Sequence, residues 1–226
     1  MARDAELLAD QKPGDDPSLR LYQWEPAAVT IGYNQKFEDF DQDAIAAAGY
    51  DLVRRPTGGR AILHADELTY AVIGSSPSPL FGDSLHSTYL KINEALLAFL
   101  HRLDIAADIS AGESRENARG LVCFRSAGKH EIKVGGRKII GSAQRRTGGV
   151  FLQHGSILAG PRHLGLPVLL DGAAAAETDV KELANVTIDL AQLLGQEQTP
   201  AVLDGQARVL ADVFAETWGL VQNPTT

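Results

Sequence analysis

Cys123 is the only cysteine in the 226-residue chain, and Lys138 follows it by fifteen positions inside a run that reads as a strand. A thiol and an amine at one site make a known pair. The thiolate is the nucleophile, and a neighbouring ammonium favours it over the thiol. The same ammonium can hydrogen-bond the oxyanion of a tetrahedral intermediate during acyl transfer. The bland alternative is equally concrete, because a lone cysteine is commonly a small buried apolar residue. Composition and spacing leave both open.

The elements that would position the pair can be read from periodicity. "SLHSTYLKINEALLAFLHRLD" sets Leu85, Tyr89, Ile92, Leu96, Phe99 and Leu103 at helical spacing, with Ser84 as N-cap. "DQDAIAAAGY" predicts a short helix ended at Gly49, and Thr199-Pro200 predicts the start of a C-terminal one. "LRLYQWEPAAVTIGY" reads as two strands broken at Pro26. "DLVRR" reads as a strand, "PTGG" as a turn and "RAILHADELTYAVIG" as one return strand. Ser110 to Gly120 is polar and without period, hence a loop. After it come "HEIKV", "RKIIGSAQRR" and "VFLQHGSIL", a meander turning at Gly135-Gly136 and Gly148-Gly149.

Strand alternation sorts the meander into faces. Lys138, Ser142, Gln144, Gln153 and Gly155 fall on one. Ile132, Val134, Ile139, Gly141, Ala143, Leu152 and His154 fall on the other. The first face is polar, and glycines inside strands weaken a sheet unless something approaches closely, so a ligand is expected over that face. An ordinary solvated sheet face is the competing account. "RRPTGGRA" is neither a P-loop nor a dinucleotide fingerprint, and on its own reads as a hairpin turn.

Bulk properties set limits. Forty-four per cent apolar and 22% charged residues fit a globular domain with a core. A net charge of −8 argues against nucleic acid or anionic membrane as the main partner. One cysteine excludes an internal disulfide framework, the histidines show no metal-ligand spacing, and no run is long enough to span a bilayer. A cytoplasmic protein without a bound metal is expected. Basic residues nonetheless gather at Arg54, Arg55 and Arg60, and at Lys129, Lys133, Arg137, Lys138, Arg145 and Arg146. The order of elements predicts an α+β fold with a mixed central β-sheet flanked by helices. One catalytic domain over 1–226 is expected, with 171–226 as a helical tail.

"WEPAAVTIGYNQ", "RRPTGGRAILHADELTYAV", "GRKIIGSAQRR" and "LQHGSIL", in that order, resemble the lipoate-protein ligase and octanoyltransferase superfamily, whose fold biotin protein ligases share. The resemblance implies a single biotin/lipoate ligase-like domain that binds a medium acyl chain in a tunnel. It assigns Arg55, Gly58, Gly59, Arg60, Ala61 and His64 to the acyl and carbonyl site, and Lys138 to the acyl carbonyl. Gly141, Ser142, Ala143, Gln153, His154 and Gly155 would form the flanking strands of the pocket. Cys123 ahead of the meander is similar to the octanoyltransferase branch that uses a cysteine and a lysine so arranged. The other octanoyltransferase branch carries its cysteine after the "HG" strand, where this chain has none.

On that resemblance Cys123 and Lys138 are catalytic, octanoyl-acyl carrier protein is the donor and a lysine of a lipoyl carrier domain is the acceptor. That domain would be the glycine cleavage H protein or a 2-oxoacid dehydrogenase E2, and the enzyme would need no cofactor and act as a monomer. Two alternatives stay open. One is an ATP- and Mg-dependent lipoate–protein ligase; the other is a non-catalytic acyl- or lipoyl-domain-binding protein. Family members usually begin with a strand before a helix of the "MA-x-D-E" kind, whereas Met1 falls at that helix with Ala5 at an acidic position. An N-terminal strand missing from the start is therefore expected.

Overall fold

The computed structural model describes residues 1–110, 130–171 and 179–219. Nine strands form two sheets. β1 (Ser18–Tyr22), β5 (Glu67–Ser75), β9 (Val150–Leu158), β8 (Arg137–Thr147), β7 (Ile132–Val134) and β6 (Asp108–Ile109) make a six-stranded sheet in that order. Every pair in it is antiparallel. A smaller sheet has the order β3 (Asp51–Arg54), β2 (Ala28–Ile31), β4 (Ile62–His64). There β2 runs parallel to β3 and antiparallel to β4, so the mixed character lies in the small sheet.

Capping residues end the helices where the sequence places them. The Asp41 carboxylate accepts from Ala44 N at the start of α2 (Gln42–Ala47), and Gly49 beyond its end has φ 71°. Ser84 Oγ accepts from Ser87 N at 3.0 Å while Ser87 Oγ accepts from Ser84 N, which opens α3 (Leu85–Arg102). The chain also has α1 (Ala2–Asp10) near its start and α4 (Val180–Val186), α5 (Leu190–Leu194) and α6 (Pro200–Trp218) near its end. Among the described residues after 171, α4, α5 and α6 account for most of the chain.

Two connections differ from the sequence reading. "RAILHADELTYAVIG" is not one strand: Asp66, at φ 52°, breaks it, sending β4 to the small sheet and β5 to the large one. Nor is "RRPTGGRA" a hairpin turn, because β2 lies between β3 and β4 and the segment crosses over its end. Adjacent strands in sequence were assumed to pair, and here a third strand intervenes.

β5 and β9 are buried along their whole length, so both faces of the large sheet are covered. On one face Leu68, Tyr70, Val72, Ile140, Phe151 and Ile157 pack with Ile92, Leu96 and Phe99 of α3 and Leu210, Val213 and Phe214 of α6. On the other, Ala71, Ile73, Val150 and Leu152 pack with Leu8 of α1. Further along that second face the small sheet closes over, its Val29, Ile31, Ala61, Ile62 and Leu63 sharing a cluster with Leu158. The functional cavity opens between the two sheets.

Candidate active site

The register of β8 decides which side chains meet there. Ser142 stands opposite Gly155 and Gln144 opposite Gln153, whereas Gly141 stands opposite Ser156 and Ala143 opposite His154. Toward β7 the ladder slips: Lys133 is opposite Lys138 but Ile132 is opposite Ile140, leaving Ile139 as an extra residue. Each such insertion exchanges faces. Lys138 is thereby turned to the side of Gly141 and Ala143, not that of Ser142, and Ile132 and Val134 join the helix-packed side. The sequence assignments of these three residues and of Ile139, which packs with Ile140 in the helix-side core, are corrected by the bulge.

The cavity, of about 230 Å³, is lined by Gly141, Ala143, His154 and Ser156 from β8 and β9, with Ser142 and Gly155 also reaching its wall. Thr69 from β5 completes that side. Arg55, Gly59, Arg60, Ile62 and His64 close it from the small sheet, and Met1 and Glu131 reach it from two ends. Its volume is below the roughly 300–1,000 Å³ of sites for drug-sized ligands and suits a short single chain.

Of the described residues expected at the site, Gly58, Ala61, Gln153 and Lys138 do not line the cavity, Lys138 meeting it only through Glu131. Gly58 O accepts from Arg55, and Ala61 is wholly buried in the small-sheet core. Gln153 donates to the Tyr70 hydroxyl at 3.1 Å, which lies 2.6 Å from Ser142 Oγ, while Gln144 donates to Gln153 Oε1. This polar network lies under α3 and α6, where the Tyr89 hydroxyl of α3 also donates to the Ser142 carbonyl and Gln144 Oε1 has no partner among the described residues. Burial pushes the Tyr70 hydroxyl up to about 12, so it stays protonated. The glycines have an internal cause as well: a Cβ on Gly155 would lie 2.6 Å from Gly141 O, 2.6 Å from Tyr70 Cε1 and 2.8 Å from Ser142 Oγ.

The arginines beside the cavity bind carbonyls and do not form an anion nest. Arg55, 3% exposed, donates to the Thr30, Gly58 and Arg60 carbonyls and to Thr30 Oγ1. Arg54 donates to the carbonyls of Gly32, Tyr33 and Gln35. They thus fix the loop over the cavity from beneath. Gly32 is needed there, since a Cβ on it would fall 1.9 Å from Gly59 O.

Two histidines are held by buried carboxylates. His64 stacks on Trp24 with ring centroids 4.4 Å apart. Its Nδ1 is 2.6 Å from Glu67 Oε1 and its Nε2 is 2.7 Å from Thr30 Oγ1. His154 Nε2 lies 2.6 Å from Thr57 Oγ1, and its Nδ1 lies 3.6 Å from Asp4 Oδ2. Burial pushes the His154 imidazole below the usual histidine range, so it is neutral near pH 7. Burial alone would raise the Asp4 carboxyl, yet contact with His154 and the Tyr22 hydrogen bond, together with Arg20, hold it below its ordinary value. None of Asp4, Glu67 and Glu131 was singled out by the sequence reading. The only available hint was a charged residue inside an apolar pattern.

Lys138 is 1% exposed and its Nζ donates to Glu131 Oε1 in a short ion pair. Its carbonyl accepts from Ile188 N at 3.0 Å, anchoring this end of β8 to the segment after α4. Cys123 lies outside the described residues, as do Lys129 and the rest of 111–129. Among the described residues no group of three metal-ligating side chains occurs, and no helix is long and apolar enough to cross a membrane.

Residues 1–210 match the lipoyl protein ligase A/B catalytic domain. The chain belongs to that family, as its motifs imply. Among curated relatives, an octanoyltransferase LipM from Moorella thermoacetica is 43% identical over 70% of this chain and 59% of its own length. Another from Symbiobacterium thermophilum is 41% identical over 99% of this chain and 83% of its own. The chain thus spans about three-fifths of the length of the Moorella relative. A lipoate protein ligase structure from T. acidophilum, solved with bound lipoic acid, superposes with a TM-score of 0.73 and 26% identity. It covers 96% of this chain and 78% of that one.

Proposed function

We propose that this chain is an octanoyltransferase of lipoate assembly. The observation that carries the reading is the identity with an octanoyltransferase along 99% of the chain. The narrow cavity between the sheets, with a buried lysine paired to Glu131 of its wall, supports it.

In this reading the Cys123 thiolate attacks the thioester carbonyl of octanoyl-acyl carrier protein. A new carbon–sulfur bond forms, the carrier's sulfur leaves, and the octanoyl group rests on Cys123. A lysine amine of a lipoyl carrier domain then attacks that thioester. The amide bond forms, one amine proton is lost to a base, and the Cys123 sulfur leaves as thiolate. Lys138 stabilises the thiolate and the oxyanion, an effect worth about 3–4 kcal/mol in comparable sites. The octanoyl donor already carries its acyl group as a thioester, so ATP and Mg are not required.

Acidic carrier domains suit Arg54, Arg145 and Arg146. These guanidinium groups donate to backbone carbonyls or a serine hydroxyl, and among the described residues none is within 4 Å of a carboxylate. The enzyme would act as a monomeric catalytic domain in the cytoplasm.

The T. acidophilum neighbour, described as a lipoate protein ligase with bound lipoic acid, favours one rival, a ligase that would draw on ATP. Incubating the protein with octanoyl-acyl carrier protein and a lipoyl domain, without ATP, separates the two. Octanoylated lipoyl domain, lost in Cys123→Ala, is the expected result. Transfer that demands ATP and survives Cys123→Ala overturns the proposal.

A further inference from the structure

The proposed chemistry leaves one buried carboxylate at the cavity without a part. Glu131 is 7% exposed, lines the cavity, and meets Lys138 Nζ through Oε1. It is placed by the slip that turns Lys138: Ile132 is opposite Ile140, so its neighbour Glu131 projects to the cavity face with Lys138. Ser110 N donates to the Glu131 carbonyl at 2.7 Å, and Asn93 Nδ2 donates to the His130 carbonyl at 2.7 Å, so the backbone is tied on both sides. Resting on the transferase reading, we propose that Glu131 is a positioning residue that holds Lys138 as an ammonium beside the cavity wall.

The physical case is that a lysine so buried would lose its charge if left unpaired. A neutral amine would neither favour the thiolate nor stabilise an oxyanion. Other titratable groups stand on the elements packed around the pair, among them the buried Asp189 beyond Ile188, whose N–H bonds the Lys138 carbonyl. Lys133 stands across the ladder and is itself basic; His130 adjoins Glu131 in the chain. His163 reaches the Thr187 hydroxyl at 3.0 Å beside the Lys138 carbonyl, and burial pushes it toward the neutral form. On the cavity side His154 is likewise kept neutral, and Arg55 and Arg60 are cations. Glu131 is the carboxylate in direct contact with the Lys138 ammonium, and this contact is what favours its charged form.

The test has two readouts on the full-length protein. In the first, the Lys138 side chain is followed by NMR with ¹³Cε-labelled lysine during a pH titration. Glu131→Gln is expected to shift the deprotonation of Lys138 to a proton concentration at least about tenfold higher, and Glu131→Asp to leave it close to wild type. In the second, single-turnover acylation by octanoyl-acyl carrier protein is measured across pH by intact mass. The alkaline limb of the rate profile should move to lower pH in Glu131→Gln and stay in place in Glu131→Asp, with the rate falling less. An unmoved Lys138 titration in Glu131→Gln overturns the inference. So does a uniform loss of rate without a shifted profile, which marks a merely structural role. If Glu131→Gln does not fold, loss of the lysine charge in a folded Glu131→Asp overturns the inference, and retention of it supports the inference. Absence of any acyl-enzyme in wild type sinks the transferase reading alone, since the titration still decides the state of Lys138.

Discussion

The two faces of the six-stranded sheet carry similar residue types and do opposite things. Under α3 and α6, Tyr70, Ser142, Gln153 and Gln144 hydrogen-bond to one another in a buried network. Across the same strands, one residue out of step, Thr69, Ala143, His154 and Ser156 face a cavity. There the polar groups bond outward to other elements: His154 to Thr57, and Ser156 to Glu67 and His64. Polarity alone does not mark a binding face. What marks it is whether the polar groups satisfy each other or hold a separate element at a distance.

The largest effect that would break this comparison comes from filling the cavity. Ala143→Trp should reduce octanoyl transfer by about 100-fold or more, because the acyl chain loses its seat. The fold should survive, since Ala143 is only partly buried, and circular dichroism checks that. Activity close to wild type would place the chain elsewhere. A smaller effect on the opposite face sharpens the contrast. Gly155→Ala drives a methyl into Gly141 O and the Tyr70 ring, costing about 1–3 kcal/mol in urea unfolding. Unchanged stability would mean that the strands part easily and that glycine serves a ligand after all.

Much of this was legible beforehand, for local reasons. Ser84, Asp41 and Thr199-Pro200 announce helix starts through hydrogen bonds that any chain would make. The glycine pairs at 135–136 and 148–149, all with positive φ, announce the two hairpins. The superfamily was legible because its motifs stand in order along most of the chain.

The faces were less readable. "RKIIGSAQ" has two adjacent isoleucines, and nothing in apolar-next-to-apolar reveals that one is an extra residue. Both Ile139 and Ile140 are fully buried in the same core cluster, so the slip carries no penalty that polarity could record. The large error was to let Lys138 follow Ser142. Likewise "LHADELTY" shows no break, because Asp66 adopts a positive φ that a glycine would have advertised. Buried carboxylates such as Asp4 and Glu67 were missed because their partners, Arg20, Tyr22 and His64, are chosen by tertiary contact.

The claim beneath all of this is that the acyl chain lies between the sheets, on the side to which the bulge turns Lys138. A photoreactive octanoyl analogue carrying a terminal diazirine, delivered on acyl carrier protein and mapped by peptide mass spectrometry, tests it directly. Crosslinks at Ile62, Ala143 or His154 are predicted. Crosslinks at Tyr70, Tyr89 or Gln153 instead would put the chain on the helix-packed side and contradict the account.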